Sequence, residues 1–327
     1  MNFYKRVLII KKNNFDEALK IYSKLISQDN KNTQLLLFLG TLYLQINNFN
    51  LAKDYLEQAF NIDKNNTLVI NNLATAYEKL EEKYKAITLL EKSIKISANN
   101  PETFFRIANI YAGEKKYKLA IESYQKVIEL KPNFMFAYLN LGSAQFESKL
   151  YKKSVSNFKK ALTLNKNFIP NYLSLCKALL KLDEFDQALK YCNDAIELDG
   201  MNIQTNLMKG DINLKLKNFS EAIKNYKKII EIKPSHNLAL GKLLYSKMFI
   251  NDWNNFKKLS DEVVQYVNKG LMVIHPSIFL SLTDQPELHL KASKIYVDQF
   301  YAKVHVNKNV KLKKNSKINI GYFSADF

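Results

Sequence analysis

The side chains able to carry out chemistry are few and scattered. Four histidines, His236, His275, His289 and His305, have no Cys or His neighbour at metal-ligand spacing. Cys176 and Cys192 are the only thiols; two in a chain of this size do not make a disulfide framework, and buried packing roles are expected of both. Arg6 and Arg106 are the only arginines. Bidentate phosphate clamping and direct base readout favour arginine, so neither has much to work with. No catalytic, metal-binding or cofactor-binding residue is predicted, and His275, directly before Pro276, reads as a capping or packing side chain.

Composition narrows the function classes. The net charge is +18, but lysine is spread along the chain and mixed with glutamate, so no specific nucleic-acid partner is expected. The segment 303–317 holds six lysines and no acid and reads as a solvated linker. With 47% hydrophobic and 24% charged residues, and only eight Gly and six Pro, the chain is built to fold. No apolar run approaches the roughly 18–20 residues that span a bilayer, and the opening residues lack a secretory pattern. No membrane span and a cytoplasmic location are the expectations.

What must position any functional residue is a repeat. Ala18, Ala52, Ala86, Ala120, Ser154, Ala188 and Ala222 fall at steps of 34 residues. Gly40, Ala74, Ala108, Gly142, Cys176 and Gly210 form a second small-residue series. Phe15, Phe49, Tyr117, Tyr151, Phe185 and Phe219 form an aromatic series, with Tyr84 displaced by one and Trp253 continuing it. Pro132 and Pro234 mark where a helix must stop. Each unit reads as two helices, as in 103–113 and 118–130, with apolar residues at three- and four-residue steps. Small residues let the helices cross closely, and each pair buries its apolar face by stacking on the next.

This pattern closely resembles the tetratricopeptide repeat. Seven units cover 1–236 without insertion or deletion. Leu36, Ile70, Phe104, Tyr138 and Tyr172 take the family's large first-helix position, while Lys209 stands where the family usually has leucine, so looser packing is expected there. The resemblance implies an all-α, right-handed superhelical solenoid with a concave groove lined by the first helix of each pair. Its groove-facing candidates are Asn72, Arg106, Asn109, Asn140, Lys177 and Asp211, and the implied partner is a protein or peptide.

Beyond 236 the register breaks, with Phe256 where alanine belongs. A partial eighth repeat with a helical and basic linker (237–316) follows, then an alternating stretch, 317–327, read as one orphan β-strand. The order of repeats, Asp252-Trp253-x-x-Phe256, His275-Pro276, basic linker and Ile318-x-Ile320-Gly321-Tyr322-x-Ser324-x-Asp326-Phe327 is similar to the O-linked N-acetylglucosamine transferases, including bacterial SPINDLY-like proteins. That resemblance makes 317–327 the first strand of a glycosyltransferase domain whose remainder is absent, with the repeats recognising the acceptor. It implies transfer of N-acetylglucosamine from UDP-N-acetylglucosamine to Ser or Thr of a protein, a reaction this chain alone is expected not to perform. In that family asparagines line the inner surface; Asn72 and Asn140 match, whereas Phe38, Arg106, Ser174 and Met208 depart. The alternative is a stand-alone repeat scaffold for protein–protein interaction, and continuation of the reading frame past Phe327 separates the two.

Overall fold

The computed structural model describes residues 15–301. The first helix of the first repeat, the basic segment 303–317 and the expected strand 317–327 lie outside the described residues. Within them the chain forms seventeen helices and turns: α1 (Phe15–Ile26), α2 (Thr33–Gln45), α3 (Phe49–Ile62), α4 (Thr67–Lys79), α5 (Lys83–Ile96), α6 (Pro101–Gly113), α7 (Tyr117–Leu130), α8 (Met135–Glu147), α9 (Tyr151–Leu164), α10 (Ile169–Leu180), α11 (Phe185–Leu198), α12 (Ile203–Lys215), α13 (Phe219–Ile232), α14 (Asn237–Phe249), α15 (Phe256–Asn268), α16 (Pro276–Phe279) and α17 (Pro286–Tyr301). Successive helices pair as a repeat solenoid. No described helix is long and apolar enough to cross a membrane, and no described group of three His, Cys, Asp or Glu could hold a metal ion.

The 34-residue step is written into the backbone. Between the two helices of each pair one residue takes the left-handed conformation: Asn47, Glu81, Lys115, Lys149, Asp183, Lys217 and Asn251, with φ between 52° and 62°. Asn and Asp tolerate this region, while Glu and Lys there cost energy that the rest of the repeat must offset. The start of five first helices is fixed by a side-chain cap at the same period. Asn32, Asn66, Asn100 and Asn202 accept from the N–H three residues on at 3.1, 3.3, 3.3 and 3.0 Å, and the His236 ring accepts from Ala239 at 3.1 Å. At 134 and 168 the residue is phenylalanine, and neither α8 nor α10 has a side-chain cap. Each loss costs about 1 kcal/mol.

Close crossing within a pair follows a volume rule. A Cβ on Gly142 would lie 2.7 Å from the Phe158 ring, and one on Gly40 would lie 2.4 Å from Leu56. A small residue on the first helix therefore makes room for a large one on the second. In the sixth pair both residues are medium-sized: Cys176 and Cys192 are fully buried with their sulfurs 3.5 Å apart. The mutual thiol contact and burial push the Cys176 pKa far up, and both cysteines are buried packing residues, as expected. The small series at the second-helix crossing is completely buried from Ala52 to Ala222.

By compactness the chain divides between Ile212 and Asn213, within α12, the helix on which Lys209 is half-buried. In the second unit the repeat stops for a visible reason. After the left-handed turn at Asn251 a second left-handed residue, Asn255, delays the helix to Phe256, three residues late. Trp253 is left half-exposed, edge-on to Phe256 at 5.1 Å. The ammonium of Lys247, almost buried, meets Asp252 at 2.5 Å and holds the turn closed. Where a next repeat would pack, extended residues 271–275 lie on α14 instead. The Val273 carbonyl oxygen sits 2.0 Å from where a Cβ on Gly241 would be, and Asn237 donates to the Met272 carbonyl at 2.5 Å. Val273, Ile274, Phe279, Leu288 and Ala292 then close a core with Leu240, Leu244, Val263 and Val267. His275 caps α16, accepting from the Ser277 N–H at 3.3 Å and packing edge-on to Tyr296.

Candidate functional site

The first helices of the pairs present their sixth and ninth residues on one stripe, one turn apart. Read along the chain these are Phe38 and Thr41, Asn72 and Thr75, Arg106 and Asn109, Asn140 and Ser143, Ser174 and Lys177, Met208 and Asp211. The stripe carries a ladder of side-chain hydrogen bonds from the sixth residue of one repeat to the ninth of the one before. Asn72 donates to the Thr41 hydroxyl at 2.8 Å. Arg106 donates to the Thr75 hydroxyl at 2.9 Å. Asn140 donates to the Asn109 carboxamide oxygen at 3.0 Å.

The ladder then stops. Ser143 and Ser174 turn their hydroxyls back onto the Leu139 and Pro170 carbonyls of their own helices, at 2.9 and 3.0 Å. No side chain crosses between α8 and α10, although the helices remain packed on one another. Two cavities adjoin here, one beside the bonded junction of α6 with α8 and one at the open junction of α8 with α10. One of about 460 Å³ is lined by Asn109, Tyr117, Tyr124, Asn140, Ser143 and Glu147. The other, about 220 Å³, is lined by Ser143, Phe146, Glu147, Phe158, Ser174 and Lys177.

The six groove candidates separate into different roles. Asn109 and Asn140 line the larger cavity and Lys177 the smaller. Asn109 takes two donors on its carboxamide oxygen, from Asn140 and from the Tyr124 hydroxyl at 2.6 Å. Burial pushes the Tyr124 pKa up to about 12, so near neutral pH it stays protonated and keeps donating. With its oxygen held, Asn109 has its N–H groups unclaimed by any described residue and exposed, a geometry suited to a ligand carbonyl. Lys177 is exposed on the far wall.

Arg106 is a different case. It donates to Glu78 through Nε at 3.1 Å and Nη2 at 2.6 Å, to the Asn71 carbonyl at 3.2 Å and to Thr75. Four of its five N–H groups are committed inside the protein, so it is a tie between repeats rather than a free groove cation. Asn72 keeps a free oxygen beside its bond to Thr41, away from the cavities. Asp211, half-buried on α12, is already engaged by a neighbour.

Ser143, Glu147 and Ser174 are cavity residues that reading the stripe for amides and charges passes over. Their signal is the absence of any side chain long enough to cross at 143 and 174.

Profiles described as tetratricopeptide repeats match residues 10–75, 69–100, 101–134, 137–168 and 203–236, together over half the chain. No curated protein matches it. Among solved structures, the C-terminal part of a TPR repeat-containing protein from Cytophaga hutchinsonii is similar at 20% identity, over 74% of this chain and 99% of that one, with a TM-score of 0.66. YrrB, described as a TPR protein with an unusual peptide-binding site, is 20% identical over 57% of this chain and 95% of its own, with a TM-score of 0.50. Pseudomonas aeruginosa PilF is 21% identical over 67% of this chain and 97% of its own, with a TM-score of 0.50. At these identities the likeness is one of fold. None of these matches points to a glycosyltransferase family. The helix pairs, their 34-residue step and the repeat profiles agree, and the chain belongs to the tetratricopeptide repeat family.

Proposed function

We propose that this chain binds an extended segment of a partner protein along the stripe formed by α6, α8 and α10. The observation carrying the reading is the interrupted ladder. Between α2 and α8 the sixth and ninth residues bond to one another across repeats, whereas at Ser143 and Ser174 they do not, and a cavity stands open beside Lys177, adjoining one beside Asn109 at the last bonded rung. An extended backbone carries carbonyls and N–H groups along both edges. The Asn109 N–H groups, the Lys177 ammonium and the Glu147 carboxylate supply complementary donors and acceptors. The test is a screen of displayed peptides against the full chain. A binder should be weakened by Lys177→Glu with helical content unchanged. Failure of every peptide to bind, or binding indifferent to Lys177→Glu, contradicts the reading.

The finer proposal is that the bound segment is a glycosylation acceptor and that the repeats serve a protein O-glycosyltransferase. Its support is the sequence order of repeats, Asp252-Trp253-x-x-Phe256, His275-Pro276 and the motif 318–327. The donor would be a UDP-sugar such as UDP-N-acetylglucosamine, and no residue of this chain is assigned to holding it. The gene decides the matter. A reading frame that runs past Phe327 into a sugar-nucleotide-binding domain supports the proposal, and a stop codon there leaves a stand-alone interaction scaffold.

A further inference from the structure

The two missing caps have a counterpart. Phe134 and Phe168, standing where other repeats place Asn, are not swallowed by the core; both are half-buried. They join Phe105 and Phe136 in a run of ring contacts: 4.9 Å from Phe105 to Phe134, 6.3 Å on to Phe136, and 5.8 Å from Phe136 to Phe168. Phe136 is 45% exposed. It lies one turn before Asn140 on the groove stripe of α8, so it faces the groove on the N-terminal side of Asn140, while Glu147 and Lys177 line the cavities further along. Lys131 holds its ammonium 5.1 Å from the Phe134 ring centre.

We propose that this aromatic edge selects the partner, and that the partner is an extended acidic segment with aliphatic or aromatic side chains along one side. The inference rests on the peptide-groove reading above and adds the chemistry of its ligand. Phenylalanine rings have no donor or acceptor and reward only apolar groups set against them. An extended chain sends successive side chains to opposite sides. Apolar residues on one side therefore meet Phe136 and its neighbours while carboxylates on the other meet Lys177. Helix capping is given up at the starts of α8 and α10, the two helices whose later turns line the smaller cavity.

The experiment uses the full chain and short fluorescein-labelled peptides read by anisotropy. One peptide alternates Leu with Glu, and a control of the same composition gathers the leucines in one block. The alternating peptide should bind at least about tenfold more tightly than the block control, and Phe136→Ser should weaken it by about tenfold. Phe168→Asn should also weaken it, while its thermal midpoint holds or rises because a cap is restored. Equal binding of the two peptides, or binding unaffected by Phe136→Ser, overturns the inference. A fallen midpoint in Phe168→Asn overturns the trade of capping for binding. Capture of a single-stranded oligonucleotide at this edge, lost in Phe136→Ser, overturns the peptide assignment. If other displayed peptides bind through Lys177 but the alternating peptide does not, the groove stands and its proposed ligand falls.

Discussion

Two stretches of the same solenoid use one structural position in opposite ways. From α2 to α8 the sixth and ninth residues of the first helices bond across the repeat junction, and at Arg106 that bond becomes a four-donor tie. From α8 to α10 the same positions are serines that bond only to their own helices, and the junction opens into a cavity. The backbone step is identical in both stretches, so the difference is one of side-chain length. A repeat that stacks by apolar packing does not need the polar rungs to hold together, which leaves each rung available either for stability or for a ligand.

The largest expected contrast is between Arg106 and Lys177. Arg106→Ala should cost about 2 kcal/mol, because it leaves the Glu78 carboxylate without its charged partner in a partly buried junction. Lys177→Glu should stay within about 0.5 kcal/mol of the parent chain, since Lys177 is exposed and tied to nothing in the fold. Denaturant midpoints for the two variants check this; equal losses would mean the junctions do not differ.

A second change sharpens the picture from the packing side. Ser154 takes a place that alanine fills in the other repeats, and its hydroxyl is buried without a partner. Ser154→Ala should stabilise by about 1 kcal/mol, visible as a raised thermal midpoint, with peptide binding unchanged. Next, Ser174→Asn should convert the open junction to the closed kind by adding a rung to Ser143, as Asn72 does to Thr41. A gain of about 0.5–1 kcal/mol and a loss of peptide affinity are expected together. The smallest effect is at the left-handed turns. Lys115→Gly should gain about 0.5 kcal/mol, because the relief of backbone strain is partly offset by the freedom glycine adds to the unfolded chain. It should leave binding untouched.

Most of the fold was legible in the sequence because the repeat is a spacing rule. The alanine series at 34-residue steps forces the crossings, and the helix pairs follow from it. The register break was legible at Phe256, but its cause was not: the left-handed Asn255 and the docking of residues 271–275 on Gly241 depend on contacts between segments far apart in sequence. In the groove, Asn109, Asn140 and Lys177 could be read as stripe residues because the helical period assigns them to it. The tie that Arg106 makes was not legible, because Glu78 is a residue of the preceding repeat, 28 positions away, and no local pattern announces that bond. Ser143 and Ser174 carried no signal as functional groups, since what they contribute is space.

The central claim is that a partner segment lies over the open junction and not along the closed one. A photoreactive amino acid placed at 177, and in a separate chain at 72, with the same bound peptide, tests it most directly by mass spectrometry of the crosslinked products. The account predicts efficient crosslinking from 177 and little from 72. Equal crosslinking from both positions, or crosslinking from 72 alone, would contradict it.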